Sequence, residues 1–102
     1  MANQIILTAL ADPTRRDVFE QLTREPMSVS VLAGRLPVSR PAVSQHLKVL
    51  SDAGLVSVRA EGTRRIYAAD PARLADLRRW IDRMWDDALA NFATAAEKES
   101  SK

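Results

Sequence analysis

The sequence predicts a mainly α-helical fold with one small β-hairpin, and two observations support that prediction. Apolar residues recur every three or four positions in five segments, which is the period of an amphipathic helix. After residue 54 the pattern changes to alternation on both sides of a glycine, which is typical of a two-stranded hairpin. Two of the helical segments are separated only by a short break. We therefore expect a winged helix-turn-helix of about five helices plus a two-stranded wing.

Composition limits the classes of protein to consider. A chain of 102 residues has room for one domain, which we place at residues 1–96, followed by a frayed tail at 97–102. It contains no cysteine, which excludes disulfides, thiolate metal sites and a cysteine nucleophile. No apolar run approaches membrane-spanning length, and the first residues lack the pattern of a signal peptide. We expect a cytoplasmic protein with no membrane association.

The first two predicted helices meet at Asp12. Asp12 followed by Pro13 is a helix-start signal, with the carboxylate as N-cap and the proline in the first turn. A first short helix should therefore end there, and a second should run to about Thr23. Their apolar residues are Ile5, Ile6, Leu7 and Leu10 in the first and Val18, Phe19 and Leu22 in the second.

Arg15 and Arg16 lie in the first turn of the second helix, where the helix dipole does not favour cations. Two interpretations stay open at this point. The arginines can pair with nearby acids, or they can contact an external phosphate.

Residues 28–54 read as helix, tight turn and helix. The first helix has the apolar stripe Val29, Leu32, Ala33 and Leu36, and it must end before Pro37. The second begins at Ser39 as N-cap, with Pro41 in its first turn, and ends at Gly54 as its C-cap. Its buried stripe is Val43, Leu47 and Leu50. This spacing is typical of a helix-turn-helix.

The other face of that second helix carries the chemistry of base and phosphate recognition. Arginine binds guanine and glutamine binds adenine in bidentate fashion, serine donates to either a base or a phosphate, and lysine contacts phosphate. His46 has two possible roles, packing at the helix junction or contacting phosphate. An ordinary solvated face is the alternative for the whole set. The predicted DNA-binding residues here are Ser39, Arg40, Pro41, Ser44, Gln45, His46 and Lys48.

The predicted hairpin at residues 55–69 is the wing. Residues 61–63 form its tip, with Gly62 for the tight turn, and three arginines flank it. Residues 35–65 together hold six basic and two acidic residues, which indicates a local site for phosphate. Arginines that discourage edge-to-edge aggregation are the alternative. The predicted DNA-binding residues of the wing are Arg59, Thr63, Arg64 and Arg65.

Asp70 and Pro71 open a last helix, predicted over about 71–96, whose apolar stripe persists for about seven turns. That helix is longer than one small domain can cover, so we expect part of it to pack against a second copy. Alternating Asp and Arg along it do not form the basic face of a membrane-surface helix. The predicted dimer interface comprises Ile5, Ile6, Leu77, Trp80, Ile81, Met84, Trp85, Leu89 and Phe92.

Four stretches of the chain resemble the ArsR-type winged-helix regulators, in particular their metal-independent branch. They are residues 11–16 (ADPTRR), 41–50 (PAVSQHLKVL), 53–56 (AGLV) and 61–67 (EGTRRIY). The resemblance implies a repressor that reads a palindromic operator as a homodimer joined through its first and last helices. The Cys-Val-Cys motif of metal-sensing members falls on Ser28-Val29-Ser30 here, and serine is a poor ligand for soft metals. We expect no metal site and no cofactor.

An enzyme and a protein-association module are the two alternative function classes. Asp86 and Asp87 are adjacent on one helix and point in different directions, and no glycine-rich phosphate loop accompanies them, so we expect no enzyme. A winged helix used only for protein association keeps the fold without binding DNA. The sequence predicts a sequence-specific DNA-binding transcription regulator whose partners are double-stranded DNA and a second copy of itself. A small-molecule effector, if any, is not readable from it.

Overall fold

The computed structural model describes residues 2–100 and contains five α-helices and one β-hairpin within them, which confirms the predicted fold class. The elements are α1 (Ala2–Ala11), α2 (Pro13–Arg24), α3 (Val29–Arg35), α4 (Arg40–Asp52), β1 (Val56–Glu61), β2 (Arg64–Ala69) and α5 (Pro71–Ser100). Most bounds lie within a residue or two of the predicted ones. The exception is α5, which continues through residues 97–100 that we expected to fray. Met1 and residues 101–102 lie outside the described part of the chain.

Side-chain caps set the starts of the helices. The carboxylate of Asp12 accepts a hydrogen bond from the backbone N–H of Arg15 at 2.9 Å, and Ser39 Oγ accepts one from Ala42 at 3.3 Å. Each satisfies a backbone donor that has no partner inside its helix. At the other end of α4 the C-cap is Ala53, and Gly54 follows it with φ +76°. The observed cap therefore lies one residue before the predicted cap, Gly54, which adopts the left-handed conformation just after it.

The first four helices and the base of the hairpin enclose one apolar core. Its largest fully buried side chains are Ile6, Val18, Leu32, Val43, Leu47, Leu50 and Leu55. Ile6 is a correction to the predicted dimer interface, because its side chain is 0% exposed within its own chain and is not available to a partner. Leu77 is partly buried against the same core. Only the neighbouring Ile5, which is 55% exposed, remains available on α1 among the predicted interface residues.

A pair of backbone hydrogen bonds attaches the wing to the start of the helix-turn-helix. Met27 N–H donates to Tyr67 O at 2.9 Å, and Tyr67 N–H donates to Met27 O at 2.8 Å. Asp70 N–H also donates to Leu55 O at 2.8 Å. The first two bonds join the hairpin to Met27, just before α3, and the third joins the two ends of the hairpin to each other. The alternation pattern alone reveals neither.

Arg15 and Arg16 bind the C-terminal end of α1. Arg15 donates to the carbonyls of Ala9 and of Thr8, the latter at 3.0 Å, and Arg16 donates to Leu10 O at 3.0 Å. The last carbonyls of a helix lack intrahelical partners and carry partial negative charge, so a guanidinium stabilises them. Neither interpretation from the sequence identified this role.

The last helix extends away from the core. Its 30 residues span about 45 Å at 1.5 Å per residue. The radius of gyration is 18.7 Å, against about 13 Å for a compact chain of this size. Beyond Trp80 every side chain of α5 through residue 99 is exposed. No helix in residues 2–100 is long and apolar enough to span a bilayer.

Candidate nucleic-acid interface

Helix α4 buries one face and exposes the other, as its helical period predicts. Val43, Leu47 and Leu50 are buried in the core. The opposite face is exposed and carries Arg40, Pro41, Ser44, Gln45 and Lys48. Within residues 2–100, Arg40 and Gln45 form no hydrogen bond or ion pair with another side chain. Their donors and acceptors are therefore free for an external partner such as a base edge.

Lys48 has a partner on its own helix. Its ammonium lies 3.2 Å from the Asp52 carboxylate, one turn further along α4. Both side chains are largely exposed, and such a pair contributes at most about 1 kcal/mol. A phosphate can replace Asp52 at low cost, so the pairing is compatible with the predicted phosphate contact.

His46 lies apart from the exposed face of α4. It is half-buried and lines a pocket with Thr14 and Asp17 of α2 and with residues 36–38 of the turn. The hydrogen bond from the backbone N–H of Arg15, helped by the charges of Arg15 and His46, holds the pKa of Asp12 below its usual value of 3.8. The position of His46 favours the junction role over the phosphate role.

The arginines of the wing differ in their side-chain partners. Gly62 opens the two-residue turn with φ +64°, between the paired residues Glu61 and Arg64. Arg59 is 3.6 Å from Glu61 in an exposed ion pair. Thr63 and Arg65 are exposed. Within the described residues, the side chain of Arg65 has no hydrogen-bonding or ionic partner.

Arg64 is tied to the start of α3. Its Nη2 donates to Ser28 Oγ at 3.2 Å, and the same oxygen accepts the backbone N–H of Val31 at 3.3 Å as the N-cap of α3. Ser28 is the one buried polar residue in the described core, at 6% exposed. The sequence drew attention to Ser28 only as a lost metal ligand. Its link to Arg64 spans 36 positions and has no local signal.

A cleft of about 370 Å³ lies between α3, α4 and the wing. Ser44 of α4 faces Thr63, Arg64 and Arg65 of the wing across it. This cleft brings together one predicted residue of the second helix and three of the wing. Ser30, which the sequence left without a role in DNA binding, also lines it.

Metal-ligand geometry is absent from the described part of the chain. Among residues 2–100, no group of three or more histidine or acidic side chains is placed to hold a metal ion. Ser28, at the position of a family metal ligand, uses its hydroxyl oxygen for the helix cap and Arg64.

Comparison with known proteins agrees with this architecture. Residues 10–59 match the model of a family described as a helix-turn-helix domain. The chain is 55% identical over 91 residues to the HTH-type transcriptional regulator Rv2034 of Mycobacterium tuberculosis, covering 89% of this chain and 85% of that one. The structure of an ArsR-like transcriptional regulator from Rhodococcus sp. RHA1 superimposes with a TM-score of 0.79 at 37% identity, covering 89% of both chains.

A third similar protein is known in its assembled form. It is the homodimeric winged helix-turn-helix DNA-binding domain of a possible ArsR-family regulator from Mycobacterium bovis, with a TM-score of 0.68 at 26% identity, covering 88% of this chain and 83% of that one. The fold, the exposed helix and wing, and these similarities lead to one conclusion. The chain belongs to the ArsR-type family of winged helix-turn-helix, DNA-binding transcriptional regulators.

Proposed function

We propose that the protein is a sequence-specific repressor that binds a palindromic operator as a homodimer. Helix α4 enters the major groove, and the wing contacts the adjacent minor groove or its phosphates. The observation that carries this proposal is the cleft at which Ser44 of α4 faces the arginines of the wing. Two elements that touch DNA in this way must lie on one side of the molecule, and a cleft lined by both of them supports this arrangement.

The apolar face of α5 supports the dimer. Trp85 and Phe92 are 65% and 72% exposed, and Ile81, Met84 and Leu89 lie on the same stripe. A contiguous apolar surface of this kind on a small protein indicates an interface. With Ile6 removed, the proposed interface comprises Ile5, Trp80, Ile81, Met84, Trp85, Leu89 and Phe92, with Leu77 at its inner edge. The homodimeric domain from Mycobacterium bovis has the same fold.

The palindrome and the repression follow from the symmetry of that dimer. A two-fold axis relates the two α4 helices, so they read inverted half-sites about one helical turn, or roughly 34–36 Å, apart. A dimer across such a site occupies promoter DNA that RNA polymerase would otherwise contact. Repression by occlusion requires no additional activity from the protein.

Selection of duplexes from a random-sequence pool tests the proposal. The purified protein should enrich an inverted repeat, and it should reduce transcription in vitro from a promoter that contains this repeat. Failure to enrich any sequence would instead support the protein-association alternative.

Substitutions separate base reading from phosphate binding. We expect Arg40→Ala and Gln45→Ala to relax sequence preference, because their free side chains face outward from α4. Arg64→Ala combined with Arg65→Ala should weaken binding to all sequences and reduce the salt dependence by about one unit of slope per lost contact. Arg83→Ala on α5 is the matched control. Fluorescence anisotropy at several salt concentrations measures both effects, and unchanged affinity in all of these variants would contradict the assigned DNA face.

A further inference from the structure

The position of the cleft determines what it faces in a DNA complex. The major and minor grooves of a duplex are separated by a sugar-phosphate strand. If α4 lies in one groove and the wing in the adjacent groove, the strand between the grooves must pass the cleft between α4 and the wing. The docking geometry therefore determines that this strand lies at the cleft.

The lining of the cleft suits a phosphate. Three exposed hydroxyl residues, Ser30, Ser44 and Thr63, line it together with Arg64 and Arg65, and no acidic residue lines it. Hydroxyls and arginines are the usual side-chain partners of phosphate oxygens in protein–DNA complexes.

Arg64 already forms a side-chain hydrogen bond within the free protein. One of its N–H groups is used by Ser28 Oγ at 3.2 Å, and a guanidinium has five such donors in a rigid plane. The remaining donors can bind a phosphate while the bond to Ser28 is kept. Fixing a long side chain before binding reduces the entropy lost on association.

We propose that this cleft seats one phosphate of the strand between the two grooves, that Arg64 binds it, and that Ser28 is a positioning residue acting through Arg64. The inference rests on the proposed DNA-binding function and specifies its phosphate site. Ser44 then faces the strand, so Ser44→Ala should lower affinity for all sequences instead of changing sequence preference.

A phosphate scan tests the contact. Each phosphate of a selected duplex is replaced in turn by an uncharged methylphosphonate, and affinity is measured by anisotropy. For the wild-type protein, one replacement in each half-site should lower affinity about 10-fold or more, the size expected for a lost hydrogen bond to a charged group. In Arg64→Gln that same replacement should have no further effect, while replacements elsewhere keep theirs. An identical map for both proteins would overturn the proposal.

The role of Ser28 needs a second measurement, because Ser28→Ala also removes the cap of α3. Ser28→Ala should weaken binding roughly 2- to 10-fold in the wild-type background and have no effect on affinity in the Arg64→Gln background. It should lower the melting temperature in both backgrounds. Ser28→Thr, which keeps the hydroxyl, should restore affinity. Equal loss of affinity in both backgrounds would show a purely structural role and overturn the assignment.

The proposed function and the phosphate seat are contradicted by different results. A wild-type protein that enriches no duplex contradicts the proposed function. A wild-type protein that enriches a duplex, but whose phosphate map does not depend on Arg64, contradicts only the phosphate seat.

Discussion

Asp12 and the two arginines after it connect α1 to α2. The Asp12 carboxylate begins α2 by accepting the N–H of Arg15, while the Arg15 and Arg16 side chains return to the last carbonyls of α1. Each group compensates an opposite end of a helix dipole. The sharp turn at this point therefore satisfies the backbone groups on both sides of it.

The stability of the protein should depend on pH through Asp12. Its pKa is below 3.8 in the folded state, so the unfolded chain takes up a proton first as the pH falls. The contribution of the carboxylate is complete above the unfolded pKa and is lost as the pH falls through the folded one. Asp12→Asn keeps a cap but does not titrate, so urea unfolding between about pH 5 and pH 2 should show a flatter decline for this variant. Parallel curves for the two proteins would contradict the prediction.

At the scale of the elements, local signals predicted the helices well. Asp12-Pro13, Ser39 with Pro41, and Asp70-Pro71 act on backbone groups within a few residues, so their effect can be read from the sequence. Contacts between distant segments could not be read in this way. The Met27–Tyr67 bridge and the Arg64–Ser28 hydrogen bond join positions whose proximity depends on the completed fold.

The candidate site shows the same division. The exposed face of α4 follows from helical period alone. The cleft that includes Ser30 requires the wing to fold back toward α3. The burial of Ile6 likewise depends on the side from which α1 packs, which its short apolar run does not specify.

Substitution of Gly54, which follows α4, tests how that helix ends, and Gly34 in α3 is the matched control. Gly54 has φ +76°, and an added Cβ would lie 3.0 Å from Arg73 Cγ. Gly54→Ala should therefore cost about 1–2 kcal/mol, mainly from the left-handed backbone. Gly34 is in α3 with no atom within 4 Å of an added Cβ, so Gly34→Ala should stabilise by up to about 1 kcal/mol. Urea unfolding measures both, and the same sign of change in the two variants would refute this account.

The shape of the whole molecule is dominated by α5. The chain measures 70 × 25 × 23 Å because about two thirds of this helix, the part after Trp80, extends beyond the core. An isolated helix of that length is marginally stable in water, and tertiary or quaternary packing of its apolar face normally stabilises it. The proposed dimer supplies that packing.

Charge placed on the α5 stripe should separate the dimer. Leu89→Glu combined with Phe92→Glu introduces two carboxylates where the apolar face would be buried, and desolvating them is costly. Sedimentation should give one chain mass, 11.3 kDa, for this variant and twice that mass for the wild-type protein. Operator affinity should fall with it. Ala90→Glu, on the opposite face of α5, is the control and should remain dimeric. A wild-type monomer at micromolar concentration would contradict the proposed assembly.

The two hydrogen bonds between Met27 and Tyr67 have a consequence for the timescales on which the wing moves. Backbone amides exchange with solvent only when their hydrogen bonds open, and rates differ between firmly packed and exposed segments. The amides of Met27, Tyr67 and Asp70 at the base of the wing should exchange slowly, whereas those of residues 61–64 at its tip should exchange quickly. The tip of the hairpin would then move while its base stays in place. The tip could adapt to grooves of different width, and the base would keep a constant distance from α4.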